Sequence, residues 1–158
     1  MLPEKTREQF EKVVESQLAR IQAMKDQGDF VDYSKLDKII IGVCGGDGIG
    51  PMITSMAQHV LETLLADKVK AGKVEFRVID GLTIERRAEL GCAIPPDVME
   101  ELKACHVILK GPTTTPRKGD PWPNVESANV AMRKALDLFA NVRPVKVPEL
   151  GIDWTFYR

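Results

Sequence analysis

The side chains best suited to chemistry lie between Leu109 and Lys146, in the stretches LKGPTTTP (109–116) and SANVAMRKALDLFANVRPVK (127–146). Arginine presents a planar fork of donors that fits a carboxylate in bidentate fashion, so Arg133 and Arg143 could hold two carboxylates. Asn129 and Arg133 stand four residues apart and share a face if this stretch is helical. Ser127 falls near the expected helix start, where its hydroxyl either caps the helix or faces a ligand. Thr113, Thr114 and Thr115 add hydroxyls that can serve a carboxylate or a ribose. Each feature has a plainer alternative. Asp137 could simply pair with Arg133, Arg143 beside Pro144 could be a surface charge, and the threonine loop could be solvated and stiffened by its prolines.

A second candidate is the turn GGDGIGP, Gly45 to Pro51. An apolar run precedes it and a helical pattern follows, which invites a dinucleotide-binding reading. The spacing does not fit, because a G-x-G-x-x-G match from Gly46 needs glycine where Pro51 stands. Asp80, at the end of the next strand, could play a ribose-binding acid only weakly without that fingerprint. The alternatives are a tight turn whose glycines admit positive φ and an anion contact at a helix N-terminus.

The elements that must position these groups are legible as an alternation of strands and helices. Glu4 to Gln27 reads as an amphipathic helix stopped by Gly28, with Phe10, Val13, Val14, Leu18, Ile21 and Met24 at helical spacing. Packing against its own domain is the expected use of that stripe. Ile39 to Cys44 is a continuous apolar run that fits a buried strand. Pro51 is well placed to open a helix whose stripe is Ile53, Met56, Ala57, Val60 and Leu64. A strand over Val74 to Asp80, a short helix over Leu82 to Leu90 ended by Gly91, and a helix opened by Pro95-Pro96 follow. His106 to Lys110 reads as a third strand, Gly111 to Asn124 as a loop, and about Val125 to Leu138 as a helix. Gly151 to Arg158 reads as a last strand, with Trp154 and Phe156 on one face. The fold class expected is α/β, a mixed, largely parallel sheet flanked by helices, incomplete and preceded by an N-terminal helical extension. The expected division is 1–36 for the extension and 37–158 for the α/β part.

Bulk properties remove several function classes. The 158 residues are 44% hydrophobic and 28% charged, with a net charge of -1, which argues against nucleic acid or a membrane surface as partner. The N-terminus has no apolar signal core and no run is long enough to span a bilayer, so a cytoplasmic location is expected. Cys44, Cys92 and Cys105 show no metal or disulfide spacing, and Cys44 and Cys105 sit beside apolar runs as buried thiols. Glu85-Arg86-Arg87 and Arg117-Lys118 read as solvated charge clusters. His59 and His106 lack a partner at ligand or triad spacing and read as structural.

Taken in order, GDGIGP, LKGPTTTP, S-x-N-x-x-x-R and DLFANVRPVK resemble the β-decarboxylating dehydrogenases: the isocitrate, isopropylmalate and homoisocitrate dehydrogenases. The resemblance covers about Lys38 to Arg158. It implies oxidation of a 2-hydroxy acid by NAD or NADP, then decarboxylation, with Mg2+ or Mn2+ polarising the hydroxyl. It further implies that Arg133, Arg143 and Arg158 clamp substrate carboxylates, and that Thr114 or Thr115 lies close to substrate and nicotinamide ribose. Ser127 and Asn129 are similar to the pair that meets the γ-carboxylate of isocitrate, whereas isopropylmalate enzymes carry apolar or different residues there. The substrate expected is isocitrate or a related 2-hydroxy di- or tricarboxylate, and the enzyme a homodimer when full-length. The family's acid/base tyrosine and lysine, its aspartate metal ligands and its adenosine loop correspond to positions beyond Arg158. The catalytic and metal-binding residues are therefore expected outside these 158 residues, which are expected to be an N-terminal segment, inactive alone. A segment of an isopropylmalate or homoisocitrate dehydrogenase, or a non-catalytic tricarboxylate-binding regulatory module, are the alternatives.

Overall fold

A computed structural model describes residues 3–26 and 31–158. The chain divides into two compact units, Met1–Leu36 and Asp37–Arg158. In the first unit α1 runs over Glu4–Asp26, and a 3-10 turn over Tyr33–Lys35 is capped by the Asp32 carboxylate. Gln27 and Gly28, the expected end and stop of α1, lie outside the described residues. Among the described residues, no helix is long and apolar enough to cross a membrane.

The second unit is built on three parallel strands in the order β2-β1-β3: β1 Ile39–Cys44, β2 Val74–Val78 and β3 Val107–Lys110. The run IIIGVC forms the central strand because both its edges are paired and its last four residues are buried, which suits an uninterrupted apolar sequence. Around the sheet lie α2 (Gly50–Leu64), α3 (Ala66–Lys70), α4 (Ile84–Leu90), α5 (Pro96–Lys103) and α6 (Ala128–Ala135). Cys44, Ile79, Leu82, Ile94, Val98, Leu102, Ala128 and Met132 make one core. Ala128 and Met132, four apart on α6, thus seat that helix against α5 and the sheet. Burial lifts the Cys44 thiol to about 11, so it stays protonated at neutral pH and acts as a small apolar group. His106 is structural too: its ring Nδ1 accepts the Ile40 N–H at 3.0 Å while its backbone N–H donates to the Ile40 carbonyl at 2.9 Å.

Three expectations change. The stripe Ile53, Met56, Val60 and Leu64 of α2 points outward, with Met56 66% and Leu64 75% exposed. Gly50 and Thr54 are buried instead, and Ala57, Gln58 and Leu61 are half-buried behind them. The cause is at the helix start, where Gly50 must approach the Gly45 carbonyl so closely that a β-carbon would collide with it. That approach fixes the rotation of the helix. Helix α6 is also shorter than Val125 to Leu138. It ends in a Schellman motif, with Asp137 at φ 48 donating its N–H to the Lys134 carbonyl at 3.2 Å, and Leu138 to that of Arg133 at 3.0 Å. Asp137 therefore does not continue the helical face of Arg133.

The third change is an added strand. β4 (Val142–Val147) pairs antiparallel with β5 (Ile152–Tyr157) across a 3-10 turn at Pro148–Leu150, making a two-stranded ribbon. Pro144 is tolerated because both strands of such a ribbon are edges. Trp154 and Phe156 do share a face, in edge-to-face contact at 6.2 Å.

Candidate functional site

The GGDGIG turn and the KGPTTTP loop interlock. A β-carbon at Gly46, which has φ 74, would strike the Pro112 carbonyl, and one at Gly111 would strike the Gly45 carbonyl. The glycines are there for loop-on-loop approach at the carboxyl ends of β1 and β3. Asp47 donates its backbone N–H to the Pro112 carbonyl at 2.8 Å. Its carboxylate accepts the Ile84 N–H at 2.7 Å and the Thr114 N–H at 2.6 Å.

Arg87 corrects the expectation of a solvated charge cluster. It has no exposed surface. Its guanidinium donates to the carbonyls of Ala93 at 2.7 Å, Thr114 at 2.8 Å and Glu126 at 2.8 Å. One side chain therefore ties α4, the threonine loop and the residue before Ser127 together. Burial pulls its pKa down and the Asp47 carboxylate opposes that. The signal was present in the sequence: Arg87 is three residues after Ile84, on the buried face of α4. Arg86, next to it, faces outward and pairs with Asp97 at 2.7 Å.

The Lys110 ammonium donates to the Gly111 carbonyl at 2.8 Å and to the Thr113 hydroxyl at 3.1 Å. Burial pushes this lysine below its usual range, and the charges of Arg87 and Arg133 push the same way. The Asp47 carboxylate pulls the other way. Thr113 is engaged by Lys110, while Thr114 is half-buried and Thr115 exposed.

Ser127 occupies the N-cap of α6, yet its side chain makes no capping hydrogen bond. Ser127 is half-buried at the helix start, and Asn129 is exposed in the first turn of the helix. Farther along, Arg133 and Arg158 line one cavity of about 280 Å³ with Leu138, Phe139, Ala140 and Asn141. The ribbon register places Arg143 near this cavity but outside its lining. Arg143 lies opposite Phe156, and Asn141 and Arg158 exchange backbone hydrogen bonds at 2.8 and 2.9 Å, so Asn141, Arg143 and Arg158 share a face. The Arg143 Nε donates to the Asn141 side-chain oxygen at 3.0 Å. Arg143 itself does not line the cavity, and neither do Ser127 and Asn129. The sequence-predicted residues thus fall into two groups, Ser127 and Asn129 at the start of α6, and Arg133 near its end with Arg143 and Arg158 on the ribbon. The arrangement can bind and orient anions. Among the described residues, no three His, Cys, Asp or Glu side chains come together to hold a metal ion.

Comparison with known proteins agrees with this frame. Residues 40–156 match the family described as isocitrate/isopropylmalate dehydrogenase. The chain is 38% identical over 134 residues to an isocitrate dehydrogenase [NADP] of Caldococcus noboribetus, covering 77% of this chain and 29% of that protein. It is 42% identical over 110 residues to an isocitrate dehydrogenase [NADP] of Archaeoglobus fulgidus, covering 69% and 25%. It is 36% identical over 109 residues to a 3-isopropylmalate dehydrogenase of Anaeromyxobacter dehalogenans, covering 68% and 30%. The chain therefore spans about three-tenths of the length of the curated relatives it matches. With that match over most of its length and relatives of this identity, the chain belongs to the isocitrate/isopropylmalate dehydrogenase family.

Proposed function

We propose that this chain is the substrate-orienting portion of an isocitrate dehydrogenase, which converts isocitrate to 2-oxoglutarate with NAD or NADP as oxidant. The observation that carries the reading is the placement of Arg133 and Arg158 on one cavity. The ribbon register puts Arg143 on the Arg158 face. Three guanidinium groups offset three negative charges and fix their spacing, the part of catalysis owed to orientation. Thr114 and Thr115, on a loop whose backbone Asp47 and Arg87 fix, would hold the ribose of a nicotinamide cofactor, which would supply the hydride acceptor.

Ser127 and Asn129 choose the substrate. An N-cap serine that does not cap its helix has a hydroxyl to give to a carboxylate, whereas an alkyl group would leave it unpaired. Isopropylmalate, named for several relatives, differs from isocitrate at that point. Ser127→Leu is therefore expected to weaken isocitrate binding to this chain about tenfold or more, the loss of one hydrogen bond to a charged group, and to improve binding of isopropylmalate. Calorimetric titration of both acids into both proteins measures this. Unchanged isocitrate affinity in the variant would refute the role given to Ser127.

A further inference from the structure

Asp47 and Arg87 close a ring of hydrogen bonds around a single residue, Thr114. The Asp47 carboxylate accepts the Thr114 N–H at 2.6 Å and, with its other oxygen, the N–H of Ile84, the first residue of α4, at 2.7 Å. On the same helix, Arg87 returns to the Thr114 carbonyl at 2.8 Å. Both backbone groups of Thr114 are thus held, each by an ionised side chain, and such bonds are about twice as strong as neutral ones. The third Arg87 bond, to the Glu126 carbonyl at 2.8 Å, extends the ring to the residue preceding Ser127. The threonine loop and the start of α6 are thus tied together by one buried guanidinium.

We infer that Asp47 and Arg87 are positioning residues: they make no contact with a ligand, and they hold Thr114 and Ser127 at the separation that a bound hydroxy acid requires. The inference rests on the function proposed above. It gives the aspartate of the GGDGIG turn a task different from the phosphate or ribose contact that the glycines suggest. It also explains why a charged side chain is buried on α4, where an apolar one would fill the same space and leave the Ala93, Thr114 and Glu126 carbonyls without these donors.

The test uses the isotope-labelled 158-residue chain, its Asp47→Asn and Arg87→Lys variants, and isocitrate as the probe. Asparagine keeps the shape of Asp47 but has one acceptor oxygen for two N–H donors, and lysine keeps the charge of Arg87 but cannot span three carbonyls. In the wild-type chain, the Thr114 amide is expected to exchange with solvent more slowly than those of Lys118 and Gly119 in the same loop. In Asp47→Asn, Thr114 exchange should accelerate about 10- to 100-fold, as expected when a hydrogen bond to a charged group is lost. Isocitrate affinity should fall about tenfold, while the amides of Ile41 and Val43 in the central strand exchange as in wild type. That last comparison separates local positioning from a general loss of stability. Arg87→Lys should move Thr114 exchange and affinity in the same direction by a smaller factor. The positioning role is overturned if Thr114 is unprotected in the wild-type chain, if neither variant changes its exchange, or if exchange accelerates while isocitrate affinity stays at the wild-type value. A wild-type chain that does not bind isocitrate refutes the proposed function itself, and this inference with it.

Discussion

Arg87→Met is expected to destabilise the second unit by about 3–5 kcal/mol, as removal of one partner from a buried charged network does. The side chain has no exposed surface, and methionine fills similar volume, so the packing loss is small and the effect isolates the polar bonds. Three carbonyls, those of Ala93, Thr114 and Glu126, lose a charged donor at 2.7–2.8 Å. Each unsatisfied buried acceptor costs roughly 1–3 kcal/mol. Arg86→Met supplies the control, because Arg86 pairs with Asp97 at the surface and such pairs are worth about 0.2–1 kcal/mol. Urea unfolding of both variants measures the contrast. Equal shifts in the two would mean that Arg87 is as solvated as its neighbour.

Gly111→Ala is expected to cost about 3 kcal/mol, the upper end of the range for overpacking a close-packed site. The added β-carbon would meet the Gly45 carbonyl and lie 2.6 Å from the Thr54 hydroxyl oxygen. Neither atom can yield. Gly45 belongs to the turn that must also admit Gly50, and Thr54 is buried on α2. The Gly111 N–H is itself committed to the Cys44 carbonyl at 2.8 Å, so the loop cannot back away without breaking the end of the sheet. Gly48→Ala separates this steric effect from backbone strain. Gly48 has φ 60 but open space around it, so only the left-handed penalty of about 1–2 kcal/mol applies. Denaturant midpoints at constant slope give both values, and a Gly111→Ala cost no larger than that of Gly48→Ala would contradict the interlocked-loop packing.

How much of this was legible in the sequence varied with the kind of interaction. β1 was readable because a strand paired on both edges needs an unbroken apolar run, and Ile39 to Cys44 is one. The Pro95-Pro96 start of α5 and the alternation along β5 were readable for similarly local reasons. β4 was missed because N-V-R-P-V-K carries a proline and charges. Its identity as a strand comes from pairing with Ile152–Tyr157 rather than from its own pattern. The inward face of α2 was misassigned because its apolar residues lie outside. A close approach at Gly50 sets the rotation, and no periodicity reports that. At the site, the chemistry of the side chains points to Arg133 and Arg143 and the resemblance adds Arg158; Arg133 and Arg158 line one cavity, and Arg143 does not. The two charges that fix the threonine loop were not legible: Asp47 was hidden among glycines, and Arg87 among three consecutive charged residues.

The most direct measurement is a titration of the isotope-labelled chain with isocitrate and, in parallel, with isopropylmalate, followed at the backbone amides. Saturable shifts at Ser127, Asn129, Arg133, Asn141 and Arg158 with isocitrate, and weaker binding of isopropylmalate at the same residues, are the predicted result. Shifts confined to other parts of the chain, or isopropylmalate binding as tightly as isocitrate, would contradict the assignment of this surface to isocitrate.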